Sequence, residues 1–177
     1  MPQSAIENFI KQKKASKKML AEKFSFALKN PLLAVILDKE LSEDDEKNLK
    51  DILEATMHVN VQVVILADKN PDYDSKNVSF LPYGRANRKI LLEASDMALS
   101  FKFSDVEEML LNGTIPISPM RDEIKDYNPN HETGNGFIYQ KSDRWCIFAA
   151  LVRAIETFKF PYDWNNIVRE GLRSVLI

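Results

Sequence analysis

The residue types that most often carry catalysis are sparse in this chain. It has two histidines, His58 and His131, and one cysteine, Cys146. A transition-metal site needs several converging ligands. Each histidine stands apart from other ligand types, so both read as ordinary helix-end or loop residues and no metal site is expected. Cys146 sits in the apolar run WCIFAALV, where burial is expected; a single cysteine excludes an intrachain disulfide. No GxGxxG, Walker A or GxSxG pattern occurs, so no catalytic residue is assigned and no cofactor is expected. What remains is charged side chains and glycines in segments that look like loops or helix starts. Such groups hold or repel anions, because a phosphate needs cations or open backbone amides. Asp38, Asp105 and Glu107 would repel one.

The elements that position these residues follow from the apolar pattern. LLAVIL at 32–37 and VQVVIL at 61–66 are short and apolar without alternation, as strands covered on both faces are. Both are expected at the centre of the sheet. VSFL at 78–81, DMALSF at 96–101, TIPIS at 114–118 and GFIY at 136–139 complete about six strands. Helices alternate with them. Ser42 caps a helix whose Leu49, Ile52, Leu53 and Thr56 face inward. Another helix covers Arg85–Ser95, and Ser104 with Glu107 reads as a capping box for a third, ended by Gly113. Long helices follow from Ser142 and from Tyr162, the first burying Trp145, Phe148, Leu151 and Val152 on one stripe. The alternation predicts an α/β fold, a doubly wound parallel sheet with helices on both faces. Residues 1–29 read as an N-terminal amphipathic helical segment, one or two helices with a solvated lysine face, and residues 30–177 as the sheet domain. A formal net charge of -2 provides no field to attract nucleic acid. No signal-like or membrane-spanning apolar segment is present in the sequence, so a cytoplasmic protein with neither nucleic-acid nor membrane partners is expected.

Two long segments, FSDVEEMLLNGTIPIS and TGNGFIYQKSDRWCIFAALVRAIETFKFPYDWNNIVREGL, carry a resemblance. A helix leads to Gly113-Thr114 and Pro116; then come Thr133, Gly134, Gly136 and Phe137; then Ala150, Leu151, Arg153 and Ala154; then Tyr162 and Trp164. In order and spacing these residues resemble the C-terminal, nucleotide-sugar-binding Rossmann-like domain of the glycogen and starch synthase type of retaining glycosyltransferases. NPLLAVIL and VQVVILADKNP resemble that domain's first two strands, and KKASKKMLAEKFSF the helix before them, so the likeness spans nearly the whole chain. The acceptor-binding half of the family has no counterpart here.

The resemblance implies a donor site at the carboxyl ends of the strands. Lys47 would meet the diphosphate, the helix capped by Ser104 would offer its amides, Glu108 would reach ribose or sugar, and Thr133 with Gly134 would lie close to phosphate. The donor would be a nucleotide or a nucleotide sugar of the ADP-glucose or UDP-glucose class, with acceptor supplied by a separately encoded domain or a second copy. Plainer readings stand beside these: Lys47 as an exposed helix lysine, Glu108 as a surface residue, Thr133 to Gly136 as a turn. The chain also departs from the family. Asp38-Lys39 replaces an arginine after the first strand, the first sugar-binding acid has no equivalent, and Pro119-Met120-Arg121 replaces a glycine pair. These losses point to a domain that is not catalytic alone. The alternative is a degenerate interaction or regulatory module on the same fold. A flavodoxin-like or receiver-like domain, matched by architecture only, is a third reading.

Overall fold

The computed structural model describes residues 3–176 except 72 and 74, with side chains described from residue 8 onward. Its strands are β1 (Leu32–Leu37), β2 (Gln62–Ala67), β3 (Val78–Pro82), β4 (Met97–Leu99), β5 (Ile115–Pro119) and β6 (Phe137–Tyr139). Its helices are α1 (Gln3–Phe24), α2 (Glu43–Thr56), α3 (Arg85–Ala94), α4 (Val106–Leu111), α5 (Arg144–Phe158) and α6 (Pro161–Val175). All strand pairs are parallel. The six strands run in the order β3-β2-β1-β4-β5-β6, the order of a doubly wound Rossmann-type sheet. β1 and β2 are interior and almost completely buried, as the apolar runs LLAVIL and VVILA require.

Side chains alternate across the sheet, and the two faces build two cores. Leu33, Val35, Val63, Ile65, Leu99 and Ile117 pack with α2, α5 and α6. Leu32, Ala34, Ile36, Val64, Leu66 and Ala98 pack with α3, α4 and Leu20 of α1. The expected inward set of α2, Leu49, Ile52, Leu53 and Thr56, is buried, and Ser42 Oγ accepts the Asp45 N–H at 3.1 Å.

Two expectations need correction. The buried stripe of α5 is Ile147, Ala150, Leu151, Ala154 and Ile155. Trp145 instead points outward, 71% exposed, with the Arg144 guanidinium 5.1 Å from its ring. After Arg144 the run WCIF at 145–148 is apolar on every side of a helix turn, so periodicity left its phase open. The small residues Ala150 and Ala154 mark the side that approaches β5 and β6.

The lysines of α1 are not all a solvated face. α1 is one continuous helix packed on α3. Lys17 Nζ lies 2.7 Å from Asp96 Oδ2, donates to the Asn30 carbonyl at 2.7 Å and sits 4.9 Å from the Phe158 ring centroid. Lys13 Nζ donates to the carbonyls of Leu92 (3.2 Å) and Asn112 (2.9 Å) and to Thr114 Oγ1 (3.1 Å). It thereby meets the carboxyl ends of α3 and α4, where orphan carbonyls and the negative helix-dipole ends gather. These two side chains clamp α1 across the amino edge of the sheet.

Candidate functional site

β1 runs into α2 on one face and β4 into α4 on the other. Their carboxyl ends therefore part at the topological switch point, the place where sheets of this kind open a ligand crevice. Asp38 leaves β1 there, and residues 100–105 leave β4. The Phe101 and Phe103 rings stack at 5.6 Å, and Lys39 Nζ lies 6.0 Å from the Phe103 centroid. Tyr139, at the end of β6, donates its hydroxyl to the Ser100 carbonyl at 2.8 Å. Burial, reinforced by Asp45, raises the pKa of that phenol, so it stays a neutral donor.

The start of α4 differs from the expected capping box. Ser104 is buried and its Oγ accepts the buried Phe101 N–H at 2.8 Å. Asp105 caps instead, its Oδ1 accepting the Glu108 N–H at 2.9 Å. Adjacent Ser and Asp are both competent caps. The hydroxyl is spent closing the loop, and the carboxylate takes the helix end, where negative charge is favoured. The amino end of α4 is thus already occupied by an anion.

Glu108 lies in the first turn of α4 and is held by a residue the sequence reading did not single out. Arg88, in the first turn of α3, donates to Glu108 Oε2 from Nε at 2.9 Å and from Nη2 at 2.6 Å. Its Nη1 donates to Asp38 Oδ2 at 2.8 Å. Partial burial works against the guanidinium's charge, but its hydrogen bonds to Glu108 and then Asp38 outweigh it and raise its pKa. One cation thus bridges two carboxylates across the crevice, and both contacts with Glu108 fall on the same oxygen. A second guanidinium, Arg121 beyond β5, donates to the Ser104 carbonyl at 3.0 Å and pairs with Glu123 at 3.2 Å. That hydrogen bond draws the Glu123 carboxyl below the usual range. Arg88 could have been found by inspecting the first turn of each helix that starts at the carboxyl edge, not the loops alone.

Lys47 is exposed on α2, flanking the same edge from the opposite face to Glu108. Glu43, Asp44, Asp45 and Glu46 precede it in the first turn. Asn48 Nδ2, next to it, donates to the Ser142 carbonyl at 2.8 Å and fixes α2 beside the start of α5. Thr133 and Gly134 are not brought to this group. They lead into β6 at the amino edge of the sheet, beside Glu132, whose carbonyl accepts from Asn166 of α6 at 2.8 Å. Gly134 has φ +109°, and a Cβ there would meet the Asp126 carbonyl oxygen at 2.5 Å. The Thr133 N–H donates to the Asn128 carbonyl at 3.3 Å. The glycine is required by close backbone packing in a turn, which places it apart from the expected phosphate contact.

His58 and His131 are exposed. Among the described residues no group of three or more His, Cys, Asp or Glu could hold a metal ion, and no helix is long and apolar enough to cross a membrane.

No protein-family model matches the chain. It is similar to the glycogen synthase of Fervidobacterium nodosum, 22% identical over 185 residues that cover 93% of this chain and 38% of that protein. The glycogen synthase of Trichodesmium erythraeum is also 22% identical, over 98% of this chain and 43% of that protein. The chain therefore spans about two fifths of the length of the curated relatives it matches. Among solved structures it superposes on Anabaena HepE in complex with UDP-glucose with TM-score 0.64 and 13% identity, over 90% of this chain and 47% of that one. WaaG, a glycosyltransferase involved in lipopolysaccharide biosynthesis, superposes with TM-score 0.62 and 12% identity, over 90% and 46%. The structural likenesses carry the fold. Together with the sequence relatives they make this chain similar to a glycogen synthase-type glycosyltransferase domain across nearly all its length.

Proposed function

We propose that this chain is a glycosyltransferase-like domain that binds a nucleotide or a nucleotide sugar of the ADP-glucose or UDP-glucose class, and that it does not transfer sugar alone. The observation that carries the reading is Glu108 in the crevice between the ends of β1 and β4. Arg88 holds this carboxylate through Oε2, and Oε1 is the acceptor assigned to ribose hydroxyls. Lys47 and Arg121 flank the same edge as partners for phosphate. The fold is shared with HepE, solved with UDP-glucose and with UDP and glucose, which supports a sugar nucleotide as ligand. Thr133 and Gly134 enter the proposal only as the turn that sets β6. Residues 1–29 are proposed as an N-terminal helical segment clamped to a sheet domain of residues 30–177. The acceptor side would come from a separate domain or a second copy, in a cytoplasmic setting.

One observation favours a second reading. The Arg88 guanidinium is already satisfied by two carboxylates, as expected of an interaction or regulatory module whose ancestral pocket is filled. Calorimetric titration with UDP, ADP, UDP-glucose and ADP-glucose separates the readings. Saturable binding lost in Glu108→Ala and weakened in Lys47→Ala supports the first. Absence of binding by the folded protein supports the second. Incorporation of labelled glucose into glycogen well above background by the purified chain would overturn the claim that it is inactive alone.

A further inference from the structure

At the sheet edge opposite this crevice, α1 and α6 frame a groove of about 560 Å³. That volume lies in the range of small-molecule sites, about 300–1,000 Å³, which are mostly apolar with a few placed polar groups. Its walls are Ile10 of α1, Leu28, Phe158, Pro161, Trp164 and Val168. Trp164 is nearly buried and set in place by Phe158, edge-on at 5.2 Å, and by Phe137, stacked at 6.5 Å. Leu28 is 49% exposed at the rim. The apolar wall is therefore built by packed aromatic rings, and it reaches solvent at Leu28.

The polar groups are four lysines and one carboxylate: Lys13, Lys14, Lys17, Lys18 and Asp96. Their roles separate. Asp96 is consumed by Lys17 at 2.7 Å and by the Leu32 N–H at 2.8 Å. Lys13 is turned to the helix-end carbonyls. Lys14 and Lys18 lie one helical turn apart and are exposed at the mouth. Lys18 meets Glu22 only at 3.9 Å, and both of those side chains are about two-thirds exposed. An apolar trough under two available ammonium groups matches one chemistry.

We infer that this groove binds an amphiphilic anion, an apolar chain ended by a single carboxylate, with the chain on Phe158, Trp164 and Val168 and the head between Lys14 and Lys18. It is separate from the nucleotide crevice and does not depend on that reading.

Dodecanoate is the probe. It is titrated below its micellar concentration into full-length protein carrying Trp145→Phe, which leaves Trp164 as the only tryptophan, since the chain has two. The expected result is saturable one-site quenching of Trp164, with no matching response to dodecyltrimethylammonium. Lys14→Glu/Lys18→Glu should weaken binding at least about tenfold, since it replaces two attractions by two repulsions. Lys14→Gln/Lys18→Gln should weaken it less, and Asn165→Phe, which narrows the groove, should also reduce it, with far-UV circular dichroism unchanged throughout. No saturable quenching, equal binding of the cationic amphiphile, or unchanged affinity in both lysine pairs would overturn the inference. Self-association controlled by Lys14 and Lys18 without dodecanoate binding would assign the groove to a second copy, and would overturn it too.

Discussion

Asp96→Ala should be among the most damaging single substitutions in this protein, although Asp96 touches neither the crevice nor the mouth of the groove. Its Oδ2 accepts from Lys17 Nζ at 2.7 Å and from the Leu32 N–H at 2.8 Å. The Lys17 and Asp96 side chains are only 9% and 11% exposed. Removing the carboxylate leaves an ammonium with the Asn30 carbonyl and the Phe158 ring as its remaining partners. It also orphans a fully buried N–H at the start of β1. One-sided disruption of a buried pair costs about 3–5 kcal/mol, and an orphaned backbone donor accounts for about 1–3 of that range. We expect about 4 kcal/mol, or a fall in Tm of about 8–16 °C for a domain of this size. Lys17→Met/Asp96→Asn removes both charges while an amide oxygen can still accept the Leu32 N–H, and it should cost less than about 2 kcal/mol because buried pairs are near-neutral when replaced whole. Urea denaturation followed by circular dichroism reads both variants. An Asp96→Ala protein within about 1 kcal/mol of the parent, or a double variant no better than the single, would refute the claim that α1 is clamped to the sheet through this pair.

Three further outcomes follow from the same geometry. Burial pulls the Lys13 ammonium down from 10.5 to about 7, with Asp96 opposing and Lys17 reinforcing. Between those values the unfolded chain keeps a proton that the folded one has lost, so the cost of burying the Lys13 charge is greatest below pH 7 and falls as pH rises. The urea midpoint of the parent, relative to Lys13→Met, should therefore increase from pH 7 to 9; a flat or falling difference would contradict this. Gly134→Ala, at φ +109° against the Asp126 backbone, should destabilise by about 2 kcal/mol in thermal melts while leaving nucleotide affinity unchanged. Asp38→Asn removes a carboxylate that would repel phosphate and should raise affinity for UDP or ADP about fivefold by calorimetry, the equivalent of about 1 kcal/mol; weaker binding would count against a phosphate position beside Asp38.

The sheet was legible in the sequence because β1 and β2 are continuous apolar runs that no amphipathic element could bear. α2 was equally legible, since its Ser42 cap and its buried stripe agree. Trp145 misled because WCIF offers apolar residues on every side of a helix turn, and which side faces the sheet is decided by close approach at Ala150 and Ala154. Ser104 misled because Asp105 stands next to it, and local sequence does not say which of two good caps is needed elsewhere. The Arg88 bridge was not legible at all. It joins residues 50 and 20 positions apart, on elements whose juxtaposition exists only once β4 has crossed back beside β1. Lys13 and Lys17 were hidden among lysines that do face solvent, and only the docked helix distinguishes clamps from surface.

The charges of the crevice bear differently on binding and on chemistry. The Arg88 contacts with Asp38 and Glu108 involve carboxylates 24% and 36% exposed, a setting in which an ion pair is worth about 1 kcal/mol or less. A phosphate oxygen that displaced Asp38 would gain a charge-assisted bond of about 1.5–3 kcal/mol, so a bound nucleotide could take the guanidinium at a small net gain. Glycosyl transfer asks for more. The leaving diphosphate gathers negative charge as the sugar bond breaks, and catalysis requires interactions that strengthen at that moment. In the proposed reading Asp38 at the end of β1 and Asp105 at the start of α4 lie at the edge where that charge would grow, and each would oppose it more in the transition state than in the ground state. The same residues that weaken nucleotide binding only slightly would therefore raise the chemical barrier, which is why donor binding and inactivity alone belong to one proposal.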